Sequence, residues 1–292
     1  MALELVNFYG IQLLNALWLS ALLFMLAVGL SVVFGLLDVL NLAHCTLYMI
    51  GAYIGFTIVG WLGSYWLALI VSPIAVTAIG AILYLLLLRR LRGNHLIQAL
   101  VTFGLLFVGY DAARMIWGVD QFKVAEPALF AESLPIFGQK YPYYRLFVFA
   151  VGLATAIGLY LGLERTRLGA IVRAGVDDRE TAAVLGINIE RAFFIVFCIG
   201  TALAGFAGVL AAPIRTVEPG MDVEILIPAL IVVVIGGPGS LKGAVLGAFI
   251  IGTAETFGPV LVPEFSSFIM YAVMAGVLLV RPHGLLPVKP AH

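Results

Sequence analysis

The sequence predicts an all-α polytopic membrane protein, and three observations carry that prediction. Of 292 residues, 63% are hydrophobic and 11% charged, and the mean hydropathy is +1.12. A soluble domain is about 25% charged. Apolar stretches long enough to cross a bilayer recur along the whole chain. Charge is gathered into a few blocks between them. The expected architecture is one transmembrane domain over residues 1–292, with about eight transmembrane helices, one or more of them broken or re-entrant. Membrane lipid is its solvent. The balance of 16 basic and 16 acidic residues argues against a nucleic-acid partner.

The candidate spans, in order, are 11–36, 45–63, 65–88, 96–117, 145–163 and 192–213, then an interrupted stretch 224–256 and a last span 265–280. The first ten residues hold no Lys or Arg, so no signal-peptide n-region is read, and the first span is expected to stay in the mature protein. Orientation follows Lys and Arg. Arg89, Arg90 and Arg92, the five Arg between 165 and 191, and Arg281 with Lys289 put ten basic residues on one presumed cytoplasmic side. Lys123, Lys140, Arg145 and Arg215 put four on the other. The N-terminus is then outside.

The stretch 224–256 settles the parity in this reading. Its first half, Ile225 to Ile235, is too short to span, and Gly236-Gly237-Pro238-Gly239-Ser240 breaks a helix. A re-entrant pair of half-helices there returns the C-terminus to the cytoplasm and gives about seven crossings. Eight crossings with the tail outside is the alternative. A two-fold internal repeat is also expected. Ile50-Gly51-Ala52-Tyr53-Ile54 is echoed 196 residues later by Leu246-Gly247-Ala248-Phe249-Ile250, each after a polar or Gly-rich interruption. Matching interruptions in two halves point to a transporter's substrate path. The path candidates are therefore Asn41, His44, Thr46, Gly237, Gly239 and Ser240, with Thr102 of the fourth span beside them.

Other features have plainer readings. Small residues at every fourth position, Gly239-Gly243-Gly247 and Gly200-Ala204-Gly208, indicate close helix packing. Asp111 and Arg114 stand at i, i+3 and read as a structural pair. Cys45 and Cys198 lack metal-ligand spacing and read as small buried hydrophobes. No metal site is expected. Gly236 to Gly243 is GGPGSLKG, which is no phosphate-binding loop, and neither HExxH nor GxSxG occurs. The chain is read as a non-enzyme that binds no cofactor of its own.

The charged block 164–191 is read as a cytoplasmic loop with a short helix. Asp177 is placed at its N-cap and Glu180 three residues on, the capping-box spacing. Thr181 to Leu185 form its body and Gly186 its left-handed end. So short a helix is unstable alone and must pack on something.

That block resembles the coupling loop of branched-chain amino acid ABC transporter permeases. Asp178-Arg179-Glu180-Thr181-Ala182 and Leu185-Gly186-Ile187-Asn188 carry the likeness, preceded by Arg165-Thr166-Arg167-Leu168-Gly169 and Arg173-Ala174. So do Asn41-Leu42-Ala43-His44, Leu47-Tyr48-Met49, Gly51-Ala52-Tyr53, Tyr144-Arg145-Leu146-Phe147, the 236–240 break and Arg281-Pro282-His283-Gly284-Leu285. Cys45 departs from the Gly common at that point in the family.

The resemblance implies a permease subunit of an ATP-driven importer in the bacterial inner (plasma) membrane, carrying leucine, isoleucine and valine. It implies a second homologous permease, two cytoplasmic ABC ATPases holding ATP and Mg, and a periplasmic or surface binding protein. The coupling residues it implies are Arg173, Ala174, Asp177, Asp178, Arg179, Glu180, Thr181, Ala182, Val184, Leu185 and Gly186. Val184 and Leu185 would be the apolar anchors in an ATPase groove. Urea, short amides or other amino acids are alternative substrates within the family. A stand-alone secondary transporter or channel is the alternative outside it.

Overall fold

A computed structural model describes residues 2–37, 41–91, 94–177 and 179–287. Eleven helices are seen among them: α1 Ala2–Leu37, α2 His44–Leu62, α3 Tyr65–Leu86, α4 His95–Trp117, α5 Tyr143–Glu164, α6 Arg167–Asp177, α7 Arg179–Val184, α8 Ile189–Ala211, α9 Met221–Gly236, α10 Leu241–Leu261 and α11 Ser266–Val280. Seven of these are long and apolar enough to cross a membrane: α1 to α5, α8 and α10. The chain is an all-α, multi-pass integral membrane protein.

α1 is the axis of the bundle. It is apolar on every side, which marks a helix buried all round, and α10, α8 and α5 pack along it. α2 and α3 pack on α8. In lipid, helices associate through close van der Waals contact, so backbones must approach. The small residues at every fourth position supply that. A Cβ on Gly208 would lie 2.1 Å from the Tyr48 carbonyl oxygen of α2, and one on Gly243 would lie 2.0 Å from the Gly236 carbonyl oxygen of α9. Gly51 meets Gly205 and Gly29 meets Gly200 in the same way.

The stretch 221–261 differs from the expected pair of half-helices. α9 has 16 residues, about 24 Å at 1.5 Å rise, but α10 has 21 and is long enough to span. Gly236 ends α9 and Ser240 caps α10, accepting from Gly243 N at 3.0 Å. A β-hairpin, β1 Ser133–Ile136 with β2 Gln139–Pro142, lies in the loop between α4 and α5. Its Phe137-Gly138 turn has positive φ at both residues, the primed two-residue form. Alternation over four residues is too short to be read as strand in so apolar a chain.

The basic segments share one end. Arg89 Nε lies 3.3 Å from Glu190 Oε2, joining the start of α8 to the loop after α3. Val32, near the inner end of α1, packs against Val172 of α6. At the opposite end the Tyr65 and Tyr144 hydroxyls, in the first turns of α3 and α5, bond each other. They also bond the Val209 and Leu210 carbonyls near the end of α8, at 3.3 and 2.9 Å.

Candidate functional site

Three groups of sequence-predicted residues fall in three places. The first is the charged block 164–191. It holds two helices rather than one. Asp177 ends α6 and is no N-cap; α7 runs from Arg179. The first helix escapes the capping pattern because its signal is an apolar stripe, Leu168, Ile171 and Val172, laid against Ala192 and Val196 of α8. Gly169 allows α6 to fold back over the end of α5, since a Cβ there would sit 1.7 Å from the Leu163 carbonyl oxygen. Arg173 holds the fold: its guanidinium donates to that same carbonyl and lies 3.6 Å from Glu164 Oε2.

α7 ends as predicted. Gly186 has φ +80°, Gly186 N donates to Ala183 O and Ile187 N to Ala182 O, which is the Schellman pattern. Ala182 is turned inward against Ile189 and Phe193, with Ala174 and Ile187 beside it. It is a support, and not a surface a partner could touch. Val184 and Leu185 point away, 88% and 74% exposed. Thr181 is exposed beside them. Asp178 lies outside the described residues, while Asp177, Arg179 and Glu180 are placed by their backbone.

The second place is the start of α2. His44, Thr46 and Asn41 are all buried. The His44 ring lies against Gly29 of α1, eight residues from that helix's C-terminal end, so α2 begins about 12 Å inside that end. Thr46 lies against Gly109 of α4, eight residues from Trp117, again about 12 Å from an end. Thr46 Oγ1 donates to Asp222 Oδ2 at 3.0 Å. Asp222 stands in the first turn of α9, so two helix N-termini meet at this depth and a carboxylate sits between them. At least one His44 ring nitrogen and the Tyr48 hydroxyl are buried without a hydrogen-bond partner, while the backbone N–H groups of Asp222 and Val223 face the Asp222 carboxylate. The Leu26 carbonyl faces the His44 ring.

Asp222 was not among the residues singled out from sequence. An acid directly after Gly220-Met221, opening an apolar run, is the signal that could have found it. Thr102 is buried on α4 and bonds its own helix at the Ala99 carbonyl, 3.2 Å.

The third place is the 237–240 turn, and it is not with the others. Gly239 N donates to Ser31 O and Oγ of α1, each at 3.1 Å, and Gly237 lies against Pro287 of the C-terminal segment. Gly237, Gly239 and Ser240 thus close a packed joint. An apolar cavity of about 280 Å³ lies between α1, α5 and α8, with Gly29, Gly200, Leu159 and Leu203 in its wall. At the end of the bundle where α3 and α5 begin, a second cavity of about 240 Å³ is lined by Tyr65, Trp66 and Glu126. Burial pushes the Glu126 carboxyl above its ordinary value, and Arg145 opposes that. Asp111 and Arg114 pair at 3.8 Å on the exposed side of α4.

Known proteins resemble this chain over nearly its whole length. The profile of the family described as "Branched-chain amino acid transport system / permease component" matches residues 12–278. The chain is 31% identical to the high-affinity branched-chain amino acid transport system permease protein BraD of Pseudomonas aeruginosa, covering 94% of each. It is 27% identical to the permease protein LivH of Escherichia coli, again covering 94% of each. It is 28% identical to LivM of the same organism, over 92% of this chain and 68% of LivM.

Proposed function

The chain belongs to the branched-chain amino acid transport system permease family, and from that we propose that it is the membrane-spanning permease subunit of an ATP-driven importer of leucine, isoleucine and valine. Its place is the bacterial inner membrane. Two different permease proteins of one organism, LivH and LivM, both resemble this chain. That supports a second, related permease as its partner. Two cytoplasmic ATPases would hold ATP and Mg, and a binding protein outside would deliver the amino acid.

One observation carries the ATP-driven part: the exposed Val184-Leu185 pair at the tip of α7. Two large apolar side chains projecting side by side into water are a helix-in-groove anchor. Their base is fixed by Ala182 in its pocket, and α6 ties the element to the end of α5 and to α8. A push on α7 is therefore passed directly to spans. The permease performs no covalent step. It converts between inward- and outward-open states, and the ATPases shift that balance by binding the two states differently.

The test is uptake by the reconstituted importer. Leu185→Asp should abolish ATP-dependent leucine uptake while the permease inserts and keeps its thermal stability, because the side chain touches little of its own chain. Normal uptake by that variant would remove α7 as the docking element. Leucine uptake by this chain alone in vesicles would instead support a stand-alone carrier. Identifying the ligand that co-purifies with the cognate binding protein separates branched-chain amino acids from urea or amides.

A further inference from the structure

We propose that Arg215, Glu224 and Glu255 form a clamp for the charged head of a zwitterionic amino acid in the outer half of the path. The proposal rests on the importer reading above and names the contact that reading lacks.

The three residues come from separate elements. Arg215 follows the outer end of α8, Glu224 lies in the first turn of α9, and Glu255 lies on α10. Arg215 Nη1 is 3.4 Å from Glu224 Oε1, and Nη2 is 3.9 Å from Glu255 Oε1. Glu255 is six residues before Leu261, the end of α10, so it lies about 9 Å below the outer end of a helix of spanning length. Charges at such depth do not face hydrocarbon; they line water or face another protein surface. The Glu224 side chain is 68% exposed, so this face is open in the single chain.

The cluster is also unbalanced and loosely paired. It has one cation for two carboxylates, and Glu255 Oε2 is buried without a partner. Charge-assisted Arg–carboxylate bonds close to about 2.7–2.9 Å, and both contacts here are longer. A free amino acid supplies the missing pieces. Its ammonium fits Glu255, and its carboxylate fits the guanidinium that Glu224 occupies only weakly. Ile227, one turn along α9 from Glu224, is exposed and offers apolar surface beside the charges. A zwitterionic head with an aliphatic side chain matches that set.

The competing role is a fixed ion network joining α8, α9 and α10. The two roles predict opposite behaviour of a charge-free variant, since replacing a whole ionic cluster by neutral groups of similar size is close to neutral for stability. The complete importer, reconstituted in liposomes, is compared with Glu255→Gln, Arg215→Met and the triple Arg215→Met/Glu224→Gln/Glu255→Gln. The clamp predicts that the triple variant stays monodisperse and keeps ATP hydrolysis stimulated by leucine-loaded binding protein, yet loses leucine uptake by about tenfold or more, roughly what one lost charged contact is worth. Uptake by the triple variant equal to the parent's would overturn the clamp. A second readout needs no ATPase: radiolabelled leucine bound to the purified permease pair should be displaced by other zwitterionic amino acids. Isoamylamine and isovalerate, with one charge each, should not displace it, and displacement by either would also overturn the clamp. Zwitterion binding by a permease whose importer moves no leucine would retain the clamp and reject the importer reading.

Discussion

The helical chain is interrupted inside the membrane domain before His44 and again after Gly236, and the two interruptions are closed differently. At 237–240 every backbone N–H has a partner, Gly239 N donating to Ser31; Ser240 Oγ accepts from Gly243 N, and the C-terminal segment returns Leu285 N to Ile235 O at 2.8 Å. Before α2, His44 N reaches Asn41 O at 3.1 Å, but at least one His44 ring nitrogen and Tyr48 Oη stay unpaired though fully buried. Unpaired buried polar groups are costly and rare. The comparison separates a structural joint from a place that keeps polar capacity in reserve, and only the second suits a site that changes partners during transport.

The largest expected effect breaks the joint. A Cβ on Gly35 would lie 2.2 Å from Gly239 Cα, backbone that cannot yield. Gly35→Val should cost on the order of 4 kcal/mol or more and leave no folded protein on gel filtration. At the other interruption, Thr46→Val keeps the methyl group against Gly109 and removes only the hydroxyl. It takes the side-chain partner from a buried carboxylate and should cost about 1–3 kcal/mol, read as a lowered unfolding temperature in detergent. Adding Asp222→Asn should change little further, since the bond is already gone. Ser240→Ala removes one cap and should cost about 1 kcal/mol, with uptake unchanged. A clear loss of uptake in Ser240→Ala would end the distinction between the two interruptions.

Much of the fold was legible because the signals are local. Span positions, the 236–240 break and the Gly186 terminus each follow from a few adjacent residues, and the structure repeats them closely except at α1, which starts nine residues before the span read from sequence. The site was less legible because it is made of distant pairs. Thr46 and Asp222 are 176 residues apart, and nothing near Thr46 announces a carboxylate. The path candidates were drawn from both interruptions alike, since Gly-rich breaks and polar breaks look equivalent in one dimension. Which one is filled depends on what returns to it, here Ser31 and the residues near 285. α6 was missed for the same reason: its partner surface on α8 follows later in the chain.

The smallest change in stability gives the sharpest comparison. His44 has 0% exposure and an imidazole with at least one nitrogen lacking a partner, packed against Gly29. Leucine is close to histidine in volume and brings no polar atoms to satisfy. If the ring serves only to fill space, His44→Leu should preserve both fold and transport. If the ring takes up a partner in another state of the cycle, the variant should fold at least as well, gaining up to about 1 kcal/mol by losing an unsatisfied group, while leucine uptake falls. The second outcome is expected, because a purely structural site would have no reason to retain a stranded imidazole between helices that otherwise meet through glycine. Thermal unfolding and uptake measured on the same preparation decide it. A variant as stable and as active as the parent would make both interruptions structural joints and leave the charged face of α9 and α10 as the remaining place for the substrate.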